Sequence, residues 1–105
     1  MFTGTYNIII TTDYENSRKD IHLPERYQKL IARKLKFLAK NPRHQSLRCH
    51  QIDVVQVNSV STPVWSFSVN MKYRVCFIYG KENTIYLLQV SNHYSQKLKD
   101  RYILE

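Results

Sequence analysis

With 105 residues the chain has room for one domain and a single core, and too little for a second. Eight tyrosines against two glycines and three prolines exclude a disordered basic tail, and no repeat or low-complexity run is present. The net charge of +8 is concentrated between Arg26 and Ile52, where eight Lys or Arg and two His stand without one Asp or Glu; such a block selects a polyanionic partner, nucleic acid first and an acidic protein or membrane surface second.

The first residues, MFTGTYNIII, have neither the cationic start nor the uninterrupted apolar run of a signal peptide, and no later stretch reaches membrane-spanning length, so a cytoplasmic protein without a membrane partner is expected. In that compartment Cys49 and Cys76 are reduced thiols, and their spacing is not that of metal ligands. Four scattered histidines and eight acids form no ligand cluster, which predicts neither a metal nor a cofactor.

In chain order, Thr5 to Thr12 has the β-branched density of a strand, and the run Ile8, Ile9, Ile10 predicts that both its faces are covered inside a sheet. Asp13 is placed to cap a short helix through Arg18 to Ile21. From Pro24 to Lys40 a helix is predicted, opened by Pro24 and stopped by Asn41-Pro42, with Tyr27, Leu30, Ile31, Leu35 and Leu38 on one side. Arg26, Lys29, Arg33, Lys36 and Lys40 form a stripe opposite. An ordinary solvated face mixes signs; the missing acids point instead to phosphate binding.

A basic loop with His44, Arg48 and His50 leads into a strand over Ile52 to Val57, and NSVSTP, residues 58 to 63, reads as a loop. The three side chains of the basic loop are either RNA-contacting or merely solvated. Trp65 to Tyr79 alternates with a period of two: Trp65, Phe67, Val69, Met71, Tyr73, Val75, Phe77 and Tyr79 against Ser66, Ser68, Asn70, Lys72 and Arg74. Gly80 to Asn83 is turn chemistry, and Thr84 to Val90 is a strand again.

If Tyr79 pairs with Thr84, Arg74 lies opposite Gln89, Lys72 opposite Ser91 and Asn70 opposite His93, while Phe77, Val75 and Tyr73 meet Tyr86, Leu88 and Val90 on the core face. This collects Ser68, Asn70, Lys72, Arg74, Gln89, Ser91 and His93 in one polar row. The last residues, Tyr94 to Glu105, read as a short helix with Leu98, Tyr102 and Ile103 inward.

Three pieces together resemble the RelE/ParE superfamily of bacterial toxins: KLKFLAKNPRHQSLRCHQ, a helix followed by an Asn-Pro-Arg-His loop; WSFSVNMKYRVCF, with the aromatic-Arg pair Tyr73-Arg74; and IYLLQVSNH, ending at His93. The resemblance covers most of the chain as a single domain, 1–105. It implies a small α+β fold with an N-terminal strand, helical segments, and a curved, mainly antiparallel sheet with helices on one face and RNA on the other. It further implies a toxin of a toxin–antitoxin pair, an endoribonuclease that cleaves messenger RNA at the ribosome, with a cognate antitoxin as partner. His93 matches the family's strand-end histidine, Arg74 its strand arginine, and His50 a histidine of one branch. Where close relatives read Gly-Thr-His-Asp, this chain has Ser91-Asn92-His93-Tyr94.

For metal-independent cleavage the 2′-hydroxyl attacks the adjacent phosphate, which needs a base, a cation and an acid. His93 suits base or acid, Arg74 and Lys72 the phosphate, Tyr94 stacking or proton donation, Gln89 orientation, and Asn70 shares their row. Tyr73 belongs to the core by parity. The other class of reading is a toxin acting on DNA gyrase, or an inactive RNA- or antitoxin-binding homologue.

Overall fold

The structure, a computed structural model, describes residues 5–92 and 98–104. Chain order is β1 (Asn7–Ile10), α1 (Thr12–Asp20), α2 (Glu25–Lys40), a 3-10 turn (Gln45–Leu47), β2 (His50–Val57), β3 (Val60–Ser68), β4 (Tyr73–Tyr79), β5 (Thr84–Asn92) and β6 (Arg101–Tyr102). The described strands form one sheet in the order β1-β5-β4-β3-β2-β6. The central ladders are antiparallel, and the two edge strands β1 and β6 run parallel to their neighbours. This is the expected α+β architecture.

Both helices pack on one face of the sheet. Ile31 and Leu38 of α2 are buried with Phe67, Val75, Phe77, Ile85, Leu87 and Val90, and Tyr27, Leu30 and Leu35 pack at the margin, so the predicted apolar side of α2 is the observed one. Arg26, Lys29, Arg33, Lys36 and Lys40 are all exposed. The opposite face carries a second, smaller core of Val55, Val64, Cys76, Ile78 and Leu88, covered by Tyr102 with Leu98 and Leu104.

Several expectations are corrected. The N-terminal strand is an edge and not an interior strand: Ile9 and Ile10 remain about half exposed, because β1 is only four residues long and only β5 flanks it. Helix α1 is capped by Thr11, two residues before Asp13; its hydroxyl accepts from Tyr14 N at 3.1 Å and donates to Leu87 O at 2.6 Å.

Residues 58 to 63 are not a loop. Asn58 and Ser59 take positive φ in a tight two-residue turn, and β3 starts at Val60. Of the expected C-terminal helix, residues 94–97 and Glu105 lie outside the described residues, and among the rest Arg101–Tyr102 form β6 beside β2: Asn58 brackets Leu104 through both its amide atoms, Gln56 N donates to Asp100 O, and Ile103 is 90% exposed.

The predicted strand from Trp65 to Tyr79 is two strands. It reverses at Val69 to Lys72, where Asn70 Oδ1 accepts from Lys72 N and Tyr73 N at 2.8 Å each and Met71 points outward, 95% exposed. The β4–β5 register differs too. Tyr79 pairs with Ile85 and not with Thr84, which shifts the ladder by one residue, and an extra residue of β5, Leu88, shifts it by one more at a bulge, so that Phe77 pairs with Leu87, Cys76 with Gln89, Val75 with Val90 and Arg74 with Ser91.

Thr11 ties β1, α1 and β5 together, so Thr11→Ala removes a cap and a buried hydrogen bond. A loss of about 2 kcal/mol is expected from urea unfolding. An unchanged midpoint would contradict this linkage.

Candidate functional site

The strand ladders place two transverse polar rows on the face away from the helices. Ser68, Arg74 and Ser91 are register partners across β3, β4 and β5; one step along, His50, Ser66, Cys76 and Gln89 line up across β2 to β5. Neighbouring strands stand about 4.8 Å apart, so His50 and Gln89 bracket a span of roughly 14 Å. Two bulges shape this face. One sits between Gln51 and Asp53 and swings Asp53 beside Val64; the other, at Leu88, leaves Gln89 and Ser91 on the same face as Arg74.

Between these rows and the C-terminal segment lies an open cleft of about 590 Å³, lined by Arg74, Gln89, Ser91 and Cys76 on the sheet and by Asp53 and Asp100 at its rim. Arg74 is half-buried, and its Nε is buried without a hydrogen-bond partner among the described residues. Leaving such a donor buried and unpaired is costly, which makes Arg74 the residue of this cleft that gains most from an added acceptor. Gln89 is buried at the floor of the cleft.

His50 is exposed beside this site. Its Nδ1 lies 3.1 Å from Arg48 O, and a carbonyl only accepts, so Nδ1 carries the proton and Nε2 presents its lone pair. That is the tautomer of a general base.

The other predicted residues fall in different places. Lys72 is in the β3–β4 turn, exposed, with Nζ 5.3 Å from the centre of the Tyr73 ring, and Asn70 spends its carbonyl oxygen on that turn; neither stands in the strand rows. The expected oppositions of Lys72 to Ser91 and of Arg74 to Gln89 are replaced by Arg74 to Ser91, one residue of the shift coming from the turn, where Tyr79 pairs with Ile85, and one from the bulge. His93 and Tyr94 lie outside the described residues, as does the opposition of Asn70 to His93. His44 and Arg48 are exposed at the 3-10 turn, where Arg48 takes a left-handed φ of 51°. The α2 stripe lies on the helical side of the molecule, away from the cleft. Among the described residues its one carboxylate contact is a loose, exposed pair of Lys29 with Glu25 at 3.9 Å.

Sequence reasoning missed Asp53, Asp100 and Cys76 as cleft residues. The signal for Asp53 was present, an acid inside an apolar strand; Asp100 needed the C-terminal strand to be known. Among the described residues no group of three His, Cys, Asp or Glu is close enough to hold a metal ion, and no helix is long and apolar enough to cross a membrane.

No family model and no curated relative matches the chain. Solved structures do. The YoeB/ParE toxin from Agrobacterium tumefaciens superposes with a TM-score of 0.59 at 13% identity, covering 84% of this chain and 99% of that one. The YoeB dimer from Staphylococcus aureus gives 0.56 at 17%, covering 86% and 99%. The toxin–antitoxin complex RelBE2 from Mycobacterium tuberculosis gives 0.57 at 17%, covering 90% and 98%. The class is thus a small α+β domain of the RelE type. Within that class the chain has the fold of the YoeB, ParE and RelE toxins over nearly their whole length.

Burial pushes the thiols of Cys49 and Cys76 up to about 11; at Cys76 the Arg74 guanidinium opposes this and Asp53 adds to it. Unfolded thiols ionise near pH 9. The folded state holds these protons more tightly, so stability present below pH 9 is lost as pH rises towards 11. In Cys49→Ala/Cys76→Ala that part of the pH–stability curve flattens; an identical curve would contradict the assignment.

Proposed function

We propose that the chain is the toxin of a toxin–antitoxin pair and cleaves messenger RNA on the ribosome. The observation that carries this reading is Arg74, a guanidinium with an unengaged buried Nε on the open face of a RelE-type sheet, flanked by Ser68, Gln89 and Ser91. A planar fork of donors in such a cleft suits a phosphodiester.

The reaction is an internal transesterification. A base takes the proton of the 2′-hydroxyl, the 2′-oxygen bonds to phosphorus, the bond to the 5′-oxygen breaks, and an acid protonates that oxygen, leaving a 2′,3′-cyclic phosphate and a 5′-hydroxyl. Arg74 neutralises charge gathering on the non-bridging oxygens. His50, with Nε2 free, serves as base, and His93 at the end of β5 in sequence is assigned the acid. Gln89 orients the phosphate, Lys72 adds charge from the β3–β4 turn, and Tyr94 is assigned stacking from its place in the sequence.

The α2 stripe of Arg26, Lys29, Arg33, Lys36 and Lys40 holds ribosomal RNA through phosphates, without reading sequence. A cytoplasmic antitoxin with an acidic segment competes for these cations. The RelBE2 neighbour, solved as a toxin–antitoxin complex, supports such a partner.

One observation favours a second reading. Asp53 and Asp100 line the same cleft and repel phosphate, which fits a protein-directed toxin, such as one acting on DNA gyrase, better than a nuclease. Primer extension on translated and untranslated copies of one message separates the two. Cleavage of the translated copy, reduced roughly 100-fold or more by Arg74→Ala, is the expected result. Intact message with inhibited supercoiling would establish the second reading instead.

A further inference from the structure

A second cavity lies apart from the Arg74 cleft. It opens on the other side of the sheet, where the chain leaves α2, and has a volume of about 650 Å³. Its walls combine two kinds of side chain. Tyr6, Trp65 and Tyr79 bring aromatic rings from β3, β4 and the residue before β1; Arg43, His44 and Arg48 bring cationic or hydrogen-bonding groups from the loop after α2.

The rings are set for stacking an additional plane. Tyr79 is 36% exposed, with its centroid 5.9 Å from Tyr6 at 58° and 6.2 Å from Trp65 at 75°. These tilted and edge-on contacts fix the rings while leaving open aromatic surface in the cavity. Around it the charges are unbalanced. No carboxylate lines the cavity, and no ion pair is described for Arg43 or Arg48.

Arg48 also faces a shallower depression that it shares with Lys34 and Ser68. Burial first, and then the Arg48 guanidinium, hold the Lys34 ammonium below its ordinary range. Two cations held close together without an acid are relieved by an anion. At His44, Nδ1 accepts from Ser46 N at 3.2 Å, so Nε2–H is left to donate.

We propose that this pocket takes one unpaired nucleobase of single-stranded RNA, stacked on Tyr79 with Trp65 standing edge-on beside it, and with its phosphate held by Arg48 and Arg43. Stacked aromatic faces beside cations bind any base without regard to sequence. The pocket also has a direct route to the cleft face. Arg48 lines it, Cys49 turns inward, and His50 emerges on the face that holds Arg74, at the start of β2 where β6 does not reach. A strand rounding that edge connects the stacking site to the cleft. The pocket is then a second holdfast that sets which phosphodiester reaches Arg74. This inference rests on the reading that the chain acts on RNA.

Trp65 is the single tryptophan, so its fluorescence reports occupancy directly. The probe is a 2′-O-methyl RNA tetranucleotide, which lacks the attacking hydroxyl, titrated into the whole chain, with a glutamate-rich peptide of equal charge as control. Saturable quenching by the RNA is expected, weakened roughly tenfold in Arg48→Asn, which tolerates the left-handed backbone, and in Arg43→Gln. In Tyr79→Leu the quenching amplitude falls as well.

Quenching persists in Arg74→Ala, even if that variant has lost all cleavage, which separates this pocket from the cleft. Absence of quenching, equal quenching by the peptide, or loss of quenching only in Arg74→Ala would each overturn the proposal.

Discussion

Strand β5 holds one residue more than β4 needs, and the division of the sheet into a helical face and an open face depends on it. Up to Leu87 the odd residues, Ile85 and Leu87, enter the main core; past Leu88 the parity reverses and Val90 enters it instead. Leu88 and Gln89 therefore both face away from the helices. Helix α1 is fastened at this discontinuity. Thr11 Oγ1 donates to Leu87 O, and Ser17 Oγ accepts from Val90 N at 3.0 Å, so side-chain hydroxyls satisfy backbone groups on the edge that β1 has already left. Without the bulge, a regular ladder would turn Gln89 into the helical core or Val90 out of it.

The electrostatics divide along the same lines. On the helical side α1 carries Asp13, Glu15 and Asp20, whereas the exposed face of α2 presents lysines and arginines with Glu25 as the acid at its start, and that stripe suits a long polyanion bound by charge. The open face is more nearly balanced, with Arg74 among serines, a glutamine and two rim aspartates. In the proposed reading, affinity and chemistry are carried by different surfaces. His50 stands where they meet, because β2 begins at the end of the basic loop.

Much of this was legible in the chain. Helix α2 was readable end to end, because its apolar residues recur at helical spacing and both ends carry proline-based signals. Arg74, Gln89 and Ser91 were rightly placed on one face. The turn at Asn70 was hidden for a geometric reason: Ser68 pairs with Arg74, residues of equal parity, so the alternation of Trp65 to Tyr79 runs through the reversal unbroken. A bulge leaves no trace in a strand whose residues are all β-compatible, so the register was beyond reach. Residues Ile8 to Ile10 looked like an interior strand because apolar runs do not reveal an edge. Asn58-Ser59 was a hairpin signal obscured by Pro63, which β3 accommodates opposite Val54.

The central claim is that Arg74 is the group in the open cleft that receives the phosphodiester, and its Nε–Hε resonance tests this most directly. In a 15N-arginine spectrum, with assignment by Arg74→Lys, addition of a 2′-O-methyl RNA should move the Arg74 Nε–Hε signal saturably as the unengaged donor gains a phosphate acceptor. A signal that stays fixed while RNA is demonstrably bound would mean that the cleft is not where the RNA backbone sits, and the nuclease reading would fall with it.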